Sequence, residues 1–188
     1  MNVIDIMKRP AAYASGYENI PGEEQNRAKQ LCWEYNRTAP KEQQKRREIL
    51  QELLGTCHPM TGIEPDFHCD YGFNIHTHGL TVINYNCVIL DTSPVNIGAG
   101  AFIAPGVCLA CSGHAVDPGQ RSQGIGTSAT HHAGRKCMDR NKCHGLRWCN
   151  HRRGFCDRRR KCGYPRYSGG SDCSRRSLPG DPSHYGER

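Results

Sequence analysis

The sequence predicts a mainly β protein: a left-handed parallel β-helix preceded by an N-terminal α-helical hairpin. Two early segments repeat apolar residues at helical spacing, and further along apolar residues return at a step of six. The last third, in contrast, contains no Val or Ile. We therefore expect helices over residues 1–60, a truncated β-helix over 61–130, and a separate basic tail over 131–188.

The predicted hairpin consists of two amphipathic helices. In "EEQNRAKQLCWEYN" one face is formed by Ala28, Leu31, Cys32 and Tyr35. In "KEQQKRREILQELLG" one face is formed by Ile49, Leu50, Leu53 and Leu54. Helices of this kind need an apolar partner, so we expect the hairpin to pack against the part that follows.

The β-helix prediction comes from two rows of apolar residues. One row is Ile83, Ile89 and Val95, and a second, offset by two, is Ile97, Ile103 and Leu109. Small and turn-forming residues separate them, and we expect one apolar residue of each short strand to point inward. An antiparallel sheet with a chance period is the alternative, but "IGAGAFIAPGVCLA" favours the β-helix. The pattern fades after Cys111, and nothing continues it from Thr130.

In this order the segments resemble the hexapeptide-repeat sugar O-acetyltransferases, the maltose and galactoside acetyltransferases. The matching segments include "RAKQLCWEYN", "IEPDFHCDYGFNI", "INYNCVILD", "VNIGAGAFIAPGV" and "SGHAVDP", within residues 8–130. The resemblance implies acetyl transfer from acetyl-CoA, as a substrate, to a sugar hydroxyl, with no metal required. It also implies a homotrimer in which acetyl-CoA lies along a groove between neighbouring chains.

Three residues match site positions of that family. His114, in "SGHAVDP", matches the histidine that acts as general base, and imidazole titrates near neutral pH. Asn84, in "INYN", matches the asparagine that binds the acceptor, and Asp70, in "CDYG", matches a polar position facing the sugar. Taken without the surrounding motifs, all three could equally be turn or surface residues. No CoA-binding residue is assigned, because the second half of the family's β-helix supplies most CoA contacts.

Charge is divided unevenly between the two parts of the chain. Residues 1–130 hold 10 Lys and Arg against 13 Asp and Glu, whereas residues 131–188 hold 15 against 5. The basic tail has too little apolar surface to offset its ordering entropy, so we expect it to be largely disordered. No signal peptide or apolar span is recognisable, which predicts a cytoplasmic protein without membrane contact and with free thiols.

Three hypotheses address the cysteines that recur along the tail. A zinc site is disfavoured because these cysteines step by six or seven, whereas zinc ligands usually pair at two to four residues. A nucleic-acid-binding arm would bind phosphates only non-specifically. The third hypothesis is a one-nucleotide frame shift close to Thr130, since Ile-Gly codons in a neighbouring frame can read as Asp-Arg or His-Arg. Asp139-Arg140, His151-Arg152 and Asp157-Arg158 fit this pattern, spaced by twelve and then six.

The sequence therefore predicts a sugar O-acetyltransferase whose C-terminal part has been replaced by out-of-frame residues. We expect this chain to be inactive or impaired, because the later coils and the CoA groove are missing. The alternative is a non-catalytic stub whose basic tail binds nucleic acid or metal.

Overall fold

The computed structural model describes residues 2–133 and 138–139. Its helices are α1 (Val3–Met7), α2 (Gly22–Arg37), α3 (Gln43–Leu53) and α4 (Pro118–Ser122), with a 3₁₀ turn at Tyr17–Asn19. The strands are β1 (Tyr13–Gly16), β2 (Thr61–Ile63), β3 (Phe67–Cys69), β4 (Ile75–Thr77), β5 (Thr81–Ile83), β6 (Cys87–Leu90), β7 (Val95–Ile97), β8 (Ala101–Ile103), β9 (Cys108–Ala110), β10 (Ser112–His114), β11 (Ile125–Ser128), β12 (His131–Ala133) and β13 (Met138–Asp139).

Helices α2 and α3 form the predicted hairpin, and both predicted faces are buried. Helix α2 packs against β3, where the side chain of Asn36 donates to the Phe67 carbonyl at 3.0 Å and accepts from its N–H at 2.9 Å. In α3 the buried Arg46 donates to the carbonyl of Thr38 at 3.1 Å and to the Tyr35 hydroxyl at 2.9 Å. The hairpin thus closes one end of the stacked strands.

The predicted parallel β-helix is confirmed. Three parallel sheets run along it, with the strand orders β12-β7-β4, β13-β8-β5-β2 and β3-β6-β9. Register is constant from coil to coil, since Ile63 pairs with Ile83 and Ile83 with Ile103. From β2 to β9, stacked residues therefore recur every 20 positions, and each coil buries its inner face against the next.

The sequence pattern predicts one inward residue in each strand. Most three-residue strands instead bury two, the first and the third. The two predicted rows meet in β7, where Val95 ends the first row and Ile97 begins the second. Because these are the two inward residues of one strand, the rows are offset by two. In several strands the second inward residue is small or polar, as with Thr81 and Ala101. Such residues fit the narrow interior but give no apolar signal in the sequence.

The β-helix also continues beyond the residue where its sequence pattern ends. After an excursion through β10, α4 and β11, the chain returns as β12, which pairs in parallel with β7. Gly98 donates to the Ala133 carbonyl at 2.8 Å, and His131 donates to the Pro94 carbonyl at 3.0 Å. The end of the apolar sequence pattern is therefore not the end of the stacked strands, because His131 and Ala133 fill inward positions without a Val or Ile.

The remaining predictions for the tail lie outside the described residues. They concern disorder, the cysteine spacing and the dipeptides around residues 151–158, and they stay predictions, as does the frame shift. The division of the chain at residues 60 and 130 also stays a prediction.

Candidate functional site

The candidate site is built on an antiparallel sheet of β1, β11 and β10, which we call the site sheet. Strand β10 places His114 opposite Gly126 of β11, and β1 places Gly16 opposite Ile125 of the same strand. The hairpin between β10 and β11 contains α4, whose first turn is capped by the Asp117 carboxylate, accepting from Gln120 N–H at 2.8 Å. An N-terminal strand thus completes the sheet that presents His114.

A cavity of about 270 Å³ lies between the site sheet, α1 and one edge of the β-helix. His114 and Asp70 both line it, although they are far apart in the sequence. Its wall also contains Tyr17, Tyr71 and Ser15, together with apolar side chains of α1. The structure therefore brings together two of the three predicted site residues.

The imidazole of His114 is exposed at this cavity and contacts a phenol. Its Nδ1 lies 2.9 Å from the hydroxyl oxygen of Tyr17, within hydrogen-bonding distance. The two rings meet edge to face, with centroids 6.2 Å apart and an interplanar angle of 67°. Which of the two atoms donates depends on the imidazole tautomer.

Asp70 is partly buried in the wall of the cavity. Burial raises the pKa of its carboxyl, and the nearby Lys29 partly offsets this. The Asp70 backbone N–H donates to Oδ1 of Asp91 at 3.1 Å, so a second carboxylate holds the turn on which Asp70 lies. Asp70 can accept a hydrogen bond from a hydroxyl placed in the cavity.

Asp91 is fully buried beneath that turn. Its carboxylate also accepts from the backbone N–H groups of Tyr71 at 2.8 Å and Asn74 at 3.3 Å. Desolvation raises the Asp91 pKa to about 6. The hydrogen bonds favour the charged carboxylate and lower the pKa, but their effect is smaller than that of desolvation. The side chain of Asn74 donates to the Asp91 carbonyl at 2.9 Å and to the Met7 carbonyl at 3.3 Å, which ties α1 to this turn.

Asn84 is not part of this cavity. It follows β5, and its Oδ1 accepts from the N–H of the next residue, Tyr85, at 2.9 Å. Its own backbone N–H donates to the Ile103 carbonyl at 3.0 Å. Within a single chain, the structure therefore does not bring Asn84 to His114.

Sequence reasoning missed Tyr17 and Tyr13. The Tyr13 hydroxyl donates to the Thr92 carbonyl at 2.6 Å, and burial raises the pKa of this phenol. The hydroxyl of Thr92 in turn lies 2.6 Å from that of Ser128 in β11. No local pattern signals these contacts, because each joins residues that are far apart along the chain.

Residues 2–133 and 138–139 contain no group of three or more His, Cys, Asp or Glu side chains that could hold a metal ion. No helix among them is both long enough and apolar enough to cross a membrane.

Residues 21–58 match the maltose acetyltransferase hexapeptide capping motif. The chain is 44% identical over 91 residues to nodulation protein L of Rhizobium leguminosarum bv. viciae, covering 48% of each chain. It is 36% identical over 107 residues to galactoside O-acetyltransferase of Escherichia coli K12, covering 57% of this chain and 52% of the relative. The chain thus spans about half the length of these curated relatives.

Solved structures agree with these sequence matches. A maltose O-acetyltransferase from Clostridium difficile 630 superposes with a TM-score of 0.67 at 29% identity, covering 73% of each chain. A galactoside acetyltransferase in complex with coenzyme A superposes with a TM-score of 0.62 at 28% identity, covering 73% of this chain and 68% of the other. The predicted resemblance to hexapeptide-repeat sugar acetyltransferases is confirmed in both sequence and fold.

Proposed function

We propose that the cavity between the site sheet and the β-helix is the acceptor site of an acetyl-CoA-dependent sugar O-acetyltransferase. The observation that carries this proposal is the position of His114, which faces the same cavity as Asp70. The coenzyme A complex of a structural neighbour supports acetyl-CoA as the donor. Similarity to galactoside and maltose acetyltransferases supports a sugar of that class as the acceptor.

In the proposed reaction the imidazole of His114 takes the proton of the acceptor hydroxyl as its oxygen attacks the thioester carbonyl. The carbon–sulfur bond then breaks, and the thiolate of CoA recovers a proton from the imidazolium. Base catalysis of this kind contributes about 10² to 10⁴ in rate. The rest of the rate enhancement comes from holding the acceptor hydroxyl and the thioester in contact. The proposed reaction forms no covalent intermediate with the enzyme.

Asp70 is proposed to orient the acceptor. Its carboxylate lies in the wall of the cavity and can accept a hydrogen bond from a sugar hydroxyl that does not react. In a chain whose coils are complete, an Asp70→Asn variant should therefore weaken acceptor binding more than it slows the chemical step. The expected result is a raised KM for the sugar with a smaller change in kcat, whereas an unchanged KM would contradict this role.

Asn84 is proposed to act from a neighbouring chain. The resemblance implies a trimer with its ligand groove between chains, and Asn84 lies outside the cavity of its own chain. Mixing two inactive variants, Asn84→Ala and His114→Ala, tests this in a chain whose coils are complete. Mixed trimers should recover part of the activity, because some interfaces then contain both native residues. No recovery, with trimers shown to mix, would assign Asn84 to a corner role.

We propose further that a one-nucleotide frame shift lies close to Thr130, and that this chain consequently transfers acetyl groups poorly. The assay combines acetyl-CoA with maltose, glucose or a galactoside, and compares the full chain with an intact relative such as galactoside O-acetyltransferase. Little or no turnover by this chain is expected. Turnover comparable to the relative would refute the proposed impairment, and resequencing the locus tests the frame directly.

The competing function is a non-catalytic stub with a basic tail. Salt-dependent DNA binding by residues 131–188, or their ordering upon adding zinc, would favour it. Under our proposal, any such binding is non-specific and has no bearing on the cavity.

A further inference from the structure

The contact between Tyr17 and His114 joins the phenol hydroxyl to one particular nitrogen of the imidazole ring. The Tyr17 hydroxyl oxygen lies 2.9 Å from Nδ1 of His114, so only one of the two ring nitrogens is engaged. A neutral imidazole carries a single proton, and the nitrogen without it is the one that can accept another. The partner at Nδ1 therefore determines whether Nε2 can act as a base.

The position of Tyr17 is fixed by the backbone of the hairpin that carries His114. The Tyr17 N–H donates to the Gly124 carbonyl at 3.2 Å, and the preceding Gly16 pairs with Ile125. Its ring lies against Gly124, where an added Cβ would come within 2.9 Å of the ring atom Cδ2. Gly124 also has a φ of 73°, which favours glycine. The absence of a side chain at Gly124 thus provides the space for the phenol.

We propose that Tyr17 is the positioning residue of His114, its hydroxyl oxygen accepting the Nδ1 proton and leaving Nε2 free to take a proton. The opposite arrangement, in which Tyr17 donates to Nδ1, would place the ring proton on Nε2 and remove its basicity. The base role of His114 and the choice of tautomer rest on the proposed function, whereas the contact between the Tyr17 hydroxyl and Nδ1 does not.

The proton balance of the step is simple. When the acceptor hydroxyl loses its proton to Nε2, the ring becomes an imidazolium with protons on both nitrogens. Tyr17 keeps accepting from Nδ1 throughout and neither gains nor loses a proton. The proton on Nε2 then passes to the leaving thiolate, which restores the starting tautomer.

The test is the tautomer of His114, observed by nuclear magnetic resonance in the full chain labelled with ¹⁵N-histidine. Spectra are recorded at increasing pH until the His114 signals no longer move, so that only the neutral ring is observed. The His114 signals are assigned as those lost in a His114→Asn variant. We expect a protonated Nδ1 and an unprotonated Nε2 in the native chain.

Replacing Tyr17 by Phe keeps the ring and removes only the hydroxyl, at a side chain that is 51% exposed. The His114 population should shift towards the Nε2–H form that free imidazole prefers. The matched control is Tyr85→Phe, since Tyr85 is 50% exposed and lines a separate cavity, and its signals should match the native ones.

Two results would overturn the proposal: an Nε2–H tautomer in the native chain, or identical His114 shifts in the native and Tyr17→Phe chains. Because neither measurement requires acetyl transfer, an inactive chain still tests it. Failure of the proposed function would appear separately, as acetyl transfer that is indifferent to His114.

Discussion

The β-helix and the site sheet bury their residues in different ways. The β-helix repeats the same strand pairing from coil to coil. Its residues Ile63, Ile83 and Ile103 are stacked in register, and each is at most 3% exposed. The site sheet joins β1 to a hairpin about a hundred residues later, and its His114 and Tyr17 are exposed. A repeated interior can thus be built from neighbouring sequence, whereas the site depends on pairing between distant segments.

Because its inward residues are fully buried, single substitutions should destabilise the protein most when they are made inside the β-helix. Ile83 is fully buried between two coils, so Ile83→Ala leaves a cavity that both neighbouring strands line. The expected loss is about 2–5 kcal/mol in the free energy of unfolding, measured by urea denaturation.

The matched control is Val82→Ala in the same strand, where the side chain is only partly buried. That change should cost less than about 1 kcal/mol, since few buried contacts are removed. Equal losses at the two positions would contradict the inward and outward assignment of β5.

The boundary between the two regions should show a pH dependence. Asp91 has a pKa of about 6 in the folded chain against an ordinary 3.8, so the folded state binds more protons between these values. The free energy of unfolding should fall by up to about 3 kcal/mol as the pH rises from about 4 to about 6.

An Asp91→Asn variant should lack this decline, and urea unfolding at several pH values measures it. The exposed Asp66→Asn serves as the control and should retain the native profile. A profile of Asp91→Asn that parallels the native one would show that Asp91 is not the titrating group.

The smallest effect is expected in the site sheet. Tyr13→Phe removes the hydrogen bond to the Thr92 carbonyl and should cost about 0.5–1.5 kcal/mol. Amide hydrogen exchange should rise in β1 and β11 but not in β5, because the loss is local. Uniform acceleration across both regions would mean that they unfold as one unit.

The same comparison explains what the sequence could predict. The rows beginning at Ile83 and Ile97 identify the β-helix because their spacing is local and their side chains are apolar. The return of the chain at His131–Ala133 was missed because a histidine and an alanine occupy inward positions that elsewhere hold Val95 and Ile97.

The site residues divide along the same line. Motifs predict His114 and Asp70 as site residues; both line the cavity, and their roles stay predictions. Tyr17 was not found, since its contact with His114 spans 97 positions and requires the pairing of β1 with β11. Asn84 matched a motif as well, but one chain alone does not place it at the cavity.

The most direct test of the account is acetyl transfer in a chain whose coils are restored. Residues 1–130 are joined to the C-terminal coils of galactoside O-acetyltransferase, and turnover of acetyl-CoA is measured with and without His114→Ala. We predict that the restored chain is active, and that His114→Ala lowers kcat by about 10² to 10⁴ without changing the unfolding midpoint. An active restored chain whose kcat is unaffected by His114→Ala would contradict the account.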